Sequence, residues 1–291
     1  MRNRLKPFVF IGALALAGAA AAQSPILAPR VPGAGPILDP DAAAWKQARP
    51  QKVALLPQMM AAPRHDKPAV AELTVRALHN GQWLALRLEW KDASKSDRFV
   101  TDQFGDQVAV QFPVRFDPKQ LPAPMMGNSG GRVNILQWRA AFQRDIDQAK
   151  HHALGAYAHA IVNLRELYPN AVVDLYPDQV LRATDATPYM GALGMDNPIS
   201  HPKLTPVLDQ MAEGWGTMTV KLDQHADGKG VWENGAWRVV ITVPLVTESA
   251  NSPRFAPGGQ TLAAFAVWEG GNREVGSRKS WSAWVPLRLA K

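Results

Sequence analysis

The stretch Leu73–Trp90, LTVRALHNGQWLALRLEW, decides the fold. Two alternating runs flank Asn80-Gly81, a pair that tight hairpin turns favour because both residues tolerate positive φ. Leu73, Val75 and Ala77 face one way, and Leu84, Leu86 and Leu88 form the matching apolar face of the return strand. VWENGAWRVVITVPL, Val231–Leu245, repeats the pattern over Asn234-Gly235. Asp106–Val114 (DQVAVQFPV) reads as a strand stopped by Pro113. Further strands are expected in Gly216–Leu222, Thr261–Gly270 and Ser280–Ala290.

Between these two groups of strands the character changes. Residues 139–167 place Phe142, Ile146, Ala149, Ala153, Tyr157, Ala160, Ile161 and Leu164 at helical spacing. That predicts one or two helices, with a break at Gly155. Tyr168–Gly216 is long, proline-rich and loop-like, and loops of that length in a compact domain are usually functional or disordered. Strands on both sides of such a segment indicate a mainly β protein, an antiparallel β-sandwich with a helix-and-loop insertion at about 138–216. Residues 53–291 then form one domain, preceded at 23–52 by a Pro/Gly-rich arm that is either loose or laid along a partner.

The N-terminus carries Arg2, Arg4 and Lys6, an apolar run from Phe8 to Leu16, and the small residues Ala20-Ala21-Ala22. That is a secretory signal over residues 1–22, cleaved before Gln23. Adjacent twin arginines are absent, which favours the general Sec-type route to the periplasm. No later stretch approaches the ~20 apolar residues of a membrane span. Cleavage removes three positive charges and no negative ones, so a net charge of +7 becomes +4 over 269 residues. A balance so mildly basic, with no concentrated Lys/Arg stripe, disfavours nucleic acid as a partner, while it can steer an acidic protein. The chain has no cysteine, which excludes disulfides, thiolate-bound zinc, iron–sulfur clusters and covalent c-type haem.

The most informative chemistry lies in LPAPMMGNSGGRVNILQW, Leu121–Trp138. Met125 and Met126 sit between prolines and glycines that rule out regular structure, and a thioether on a bent loop suits a soft metal site better than a core. Other possible ligands outside ordinary strands are His151, His152, His159, Met190, Met195, His201 and Lys203. The histidines lack zinc-protease spacing, and each is ordinarily solvated. Lys203 lies among mostly uncharged residues of Gly191–Thr219, and a buried, neutral lysine amine can bind a metal. Nucleophile elbows and phosphate loops are absent, and the scattered loop carboxylates carry no specific spacing.

In order and in content, several segments resemble the haem-binding γ subunits of periplasmic molybdenum enzymes. That family includes the ethylbenzene dehydrogenase and dimethylsulfide dehydrogenase type, with relatives in selenate and chlorate reductases. The segments are VALLPQMM (53–60), LRLEWKDAS (86–94), DQVAVQFP (106–113), PMMGNSGGRVNILQWRA (124–140), DNPIS (196–200), EGWGTMT (213–219), NGAWRVVITVPL (234–245) and FAVWEGGNREVGSRKSWSAWVPLRL (265–289). The resemblance implies a β-sandwich whose insertion helps to enclose one non-covalent haem b, ligated by a methionine and a lysine. Carried onto this sequence, the methionine falls on Met126, with Met125 one position away as the alternate. The lysine falls on Lys203, with His201 and Met195 as nearby alternates. Trp138 and Trp215 would wall the macrocycle, and Arg132 or Arg139 would pair with propionates.

The implied role is electron transfer within a heterotrimer. A molybdopterin catalytic subunit and an iron–sulfur subunit would exchange single electrons with this chain, which would pass them to or from a soluble c-type cytochrome or similar carrier. No catalytic residue is expected here. Two rival readings stand beside it. One is a haem domain without a molybdenum partner. The other is a non-catalytic carbohydrate-binding β-sandwich, in which Trp83, Trp90, Trp232 and Trp237 would include an exposed stacking platform.

Overall fold

The computed structural model describes residues 24–98, 102–152 and 205–291. The segment expected to be a secretory signal and most of the insertion lie outside them. In chain order the first strands are β1 (Ile26–Ala28), β2 (Gln51–Ala54), β3 (Leu56–Pro57), β4 (Glu72–His79), β5 (Trp83–Lys91), β6 (Gln107–Pro113) and β7 (Val133–Arg139). Helix α1 (Ala140–His152) follows, then β8 (Val207–Ala212), β9 (Thr219–Val220), β10 (Asp227–Glu233), β11 (Ala236–Pro244), β12 (Gln260–Trp268), β13 (Ser280–Trp281) and β14 (Val285–Leu289).

The strands form two facing sheets. One has the order β10-β11-β5-β4-β2, and the other runs β1-β14-β12-β6-β7-β8-β9 with β13 and β3 attached beside β12. The expected mainly β sandwich is therefore what the chain forms. The deciding hairpin pairs as its alternation requires, with Val75 opposite Leu88 and Ala77 opposite Leu86. All six of its inward residues, Leu73, Val75, Ala77, Leu84, Leu86 and Leu88, are fully buried, each leucine contributing about 2 kcal/mol of apolar burial. Its turn sits one residue later than the Asn-Gly pair suggests. Asn80 N–H donates to Trp83 O, and Gly81 takes φ +89° at the first central position, where a II′ turn needs glycine. The second hairpin turns on Asn234 and Gly235, both at positive φ.

The opposing sheet presents Val108, Val110, Phe112, Leu136, Phe265 and Val267 to the same core. Trp138 and Trp237 meet edge-to-face across it, ring centroids 4.9 Å apart. Gly230 is needed there because a Cβ would overlap the Trp138 indole.

Three features depart from expectation. The N-terminal arm, expected to be loose or laid along a partner, is packed on the domain itself. β1 pairs in parallel with β14, Ile26 and Ala28 enter the core, and Trp45 closes a second cluster with Leu78, Ala85 and Val240. Residues 207–212, read from sequence as loop, are strand β8, paired along β7. Their pattern was hidden by a buried ion pair, Lys221 Nζ to Asp209 Oδ2 at 2.8 Å, which puts a carboxylate at a core-side position. The helix begins immediately after β7, and Phe142 and Ile146 fall within it; its expected continuation beyond His152 lies outside the described residues.

Candidate functional site: a pocket on the outer face of the large sheet

Alternation in β6, β7 and β12 sends one set of side chains into the sandwich and the other outward. The outward set pairs in three tiers: Trp268–Gln107–Arg139, Ala266–Ala109–Gln137 and Ala264–Gln111–Ile135. Outward residues are normally solvated, yet every residue of β6 is buried, because loops cover this face. They leave a cavity of about 460 Å³ between themselves and the strands. Three alanines make its floor flat.

Met125 and Met126 both line the cavity. Their loop is fixed by Gln111, whose Nε2 donates to Pro124 O and whose Oε1 accepts Met126 N–H, each at 3.1 Å. Gly214 N–H donates to Met126 O at 2.7 Å. Met126 takes φ +63°, a left-handed conformation costing an ordinary side chain about 1–2 kcal/mol. Gly127 follows at φ +71°, with no room for a Cβ beside Gly131 O. Met126 also packs on the apolar patch of Ala109, Ile135 and Trp268. Met125 is buried and Met126 half-buried.

The opposite wall comes from the segment after β12. Trp268 Nε1 donates to Gly276 O at 3.0 Å, and Lys279 lines the cavity with Nζ 5.0 Å from the Trp268 ring centroid. Burial pushes the Lys279 ammonium down to about 8, since a desolvated amine loses the hydration of its charge. This wall is tied down by Glu274, fully buried, which accepts from His65 Nε2 at 2.7 Å and from Ala69 N–H at 2.9 Å. Arg139 closes one end. Its Nη2 donates to Gln137 Oε1 at 3.1 Å, its Nε is buried without a partner, and desolvation pushes it down to about 10.

The anticipated residues separate into groups. Met126, Met125 and Trp215 are brought together, with Trp215 half-exposed at the mouth beside Met218. Trp138 is not with them: it lies on the β7 face that points into the core, where its indole N–H reaches Gln143 at 3.4 Å. Arg132 is outside the cavity, pairing with Glu213 at 2.9 Å on the surface. Lys203, His201 and Met195 lie outside the described residues. Arg139, the second arginine considered, does line the cavity. Sequence reading passed over Lys279, although it stands in the C-terminal segment 265–289, and over the outward glutamines, which the alternation of β6 and β7 marks. Of the tryptophans in the carbohydrate reading, Trp90 and Trp237 are buried and stack on one another at 6.2 Å, while Trp83 and Trp232 are half-buried.

The fold and cavity define a β-sandwich protein whose loops offer thioether and amine donors over the outer face of one sheet. The chain belongs to the ethylbenzene dehydrogenase family, whose model matches residues 42–280. It is 34% identical to the chlorate reductase subunit gamma of Ideonella dechloratans, over 88% of this chain and 81% of that one. It is 23% identical to a protein of Haloferax mediterranei named as a respiratory nitrate reductase heme subunit, ORF7, over 84% of this chain. The match spans 66% of the Haloferax protein, just under two thirds of its length. A family 9 carbohydrate-binding module of Caldicellulosiruptor kristjanssonii, solved with cellotriose, aligns over 92% of this chain and 94% of its own at 10% identity and a TM-score of 0.40.

Proposed function

We propose that this chain is an electron-transfer subunit holding one non-covalent haem b in the outer-face pocket. In this reading it works in the periplasm after cleavage at Ala22. It passes single electrons between a molybdenum oxidoreductase, reached through an iron–sulfur subunit, and a soluble carrier such as a c-type cytochrome. Bond-breaking chemistry belongs to the molybdopterin subunit of that heterotrimer.

The observation that carries the proposal is the convergence on one cavity of Met125, Met126 and a lysine poised to lose its proton. The residues fit the group. An alanine floor accepts a planar macrocycle, Trp268 and Trp215 offer ring faces, and Arg139 is a half-buried cation lacking a carboxylate partner among the described residues. Met126 is the first ligand and Met125 its alternate. Lys279 is the second ligand in this reading because it lines the same cavity as the methionines, and Lys203 is its alternate by resemblance. When bound, haem supplies a one-electron iron couple, and thioether ligation favours Fe(II) and raises its potential. Lys279 contributes a nitrogen donor as the neutral amine, Arg139 neutralises a propionate, and the apolar walls exclude water.

The test is the optical spectrum of the full chain exported by a haem-competent host, oxidised and then dithionite-reduced. A low-spin b-type spectrum is expected, altered by Met126→Ala and by Lys279→Ala. A Lys279→Ala protein with an unchanged low-spin spectrum moves the second ligand to Lys203, His201 or Met195. A folded, colourless protein that takes up no haem sinks the reading.

A further inference from the structure

On the far side of β6 from the methionine loop, three carboxylates from three chain segments converge. Asp92 follows β5, Asp106 precedes β6 and Glu269 follows β12, and one oxygen of each lies within 4.8 Å of the others. Asp92 is 3% exposed and Asp106 fully buried. Asp106 is held in place by Ser96 N–H at 2.8 Å, Trp237 Nε1 at 2.9 Å and Gly270 N–H at 2.8 Å. Glu269 accepts Gly271 N–H and Asn272 N–H. Those donors orient the two carboxylates without neutralising them.

A separate observation concerns Asp92. Its Oδ1 accepts Ser94 N–H at 3.1 Å, but its Oδ2 is buried and makes no hydrogen bond of good geometry, and Asp92 has the Trp90 indole N–H, itself unpaired, and the Glu269 carboxylate as polar neighbours. A buried carboxylate oxygen without a donor is costly, and the hydrogen bonds to these three carboxylates among the described residues come from backbone N–H groups, the Trp237 indole and the Ser94 hydroxyl, with none from a lysine or arginine. We propose that Asp92, Asp106 and Glu269 bind a divalent cation of the calcium type. An all-oxygen donor set with no nitrogen or sulfur selects a hard ion. Calcium tolerates the irregular geometry that a loop-built site imposes, whereas magnesium demands a near-ideal octahedron. The ion would fasten the ends of β5, β6 and β12, and β6 and β12 form the pocket floor. The site is independent of the haem assignment.

The experiment is a calcium titration of the chelator-stripped full chain, followed by calorimetry and by thermal unfolding, with magnesium as comparison. Saturable binding of one calcium is expected, with a rise in Tm of about 5 °C or more. Asp92→Asn should abolish both, and Glu269→Gln, at a more exposed position, should weaken them at least tenfold while the protein stays folded. Absence of calcium binding to the wild-type chain overturns the proposal. So does an Asp92→Asn protein that is more stable than wild type in calcium, because the cluster would then hold a shared proton instead of an ion.

Discussion

Gln111 holds the backbone of Met126 from the floor of the pocket: the Gln111 carbonyl accepts the Met126 N–H at 3.1 Å, and the same amide donates to Pro124 O at 3.1 Å. One strand side chain therefore sets the position of the methionine loop. The sheet, not the loop's own geometry, decides where the thioethers lie. Replacing Gln111 with Leu removes both bonds and strands two backbone groups, at a cost of about 1–3 kcal/mol. Haem should dissociate faster from Gln111→Leu, and apomyoglobin capture of released haem measures this.

Gly127 faces a stricter constraint. Its φ of +71° and the proximity of Gly131 O leave no room for a methyl group. Gly127→Ala should lower stability by about 2 kcal/mol or more, seen as a fall in denaturation midpoint at unchanged slope. A neutral result would mean that the Asn128–Gly131 turn gives way easily.

Lys279 predicts a pH dependence. Its folded pKa of about 8 is below the ordinary lysine value of 10.5. Folding therefore disfavours its protonated form, and this penalty on the apoprotein is relieved as pH rises from 8 towards 10.5. In the proposed ligation, iron and proton compete for the Lys279 lone pair. Acidification should thus convert a low-spin spectrum to high-spin, with a midpoint below 8. In Lys279→Ala that transition should be missing.

The acidic cluster has the opposite sign. Burial and mutual repulsion raise Asp106 to about 7 and Asp92 to about 6, against an unfolded value near 4. Protonation stabilises the fold, fully so below pH 4, and that stabilisation is lost as pH rises through 6 and 7. In chelator, Tm should fall between pH 5 and 8 through this contribution. Saturating calcium should flatten the fall.

The sandwich was legible because Leu73–Trp90 and Val231–Leu245 alternate cleanly and turn on asparagine and glycine. Strand β8 was not, since Asp209 at a core-side position breaks the apolar alternation and is tolerated only through Lys221, twelve residues away. Met126 stood out as a thioether in a segment unable to form a regular element, whereas Trp215 came only from the family resemblance; both line the pocket. Trp138 was misplaced for want of strand parity: Ile135, Gln137 and Arg139 share the pocket face, so the residue between the last two must point into the core. Lys279 escaped notice because NREVGSRK reads as a solvated turn. Its burial depends on Trp268 and on the loop that Glu274 anchors, contacts that no local pattern encodes.

Apart from Phe265, the side chains that line the pocket take no part in the core between the sheets. Collapse of the polypeptide and acquisition of its prosthetic group are thus separable events. A chain built this way can fold empty and take up a planar ligand afterwards through the mouth beside Trp215, so loading of the proposed haem can be controlled without risking the fold.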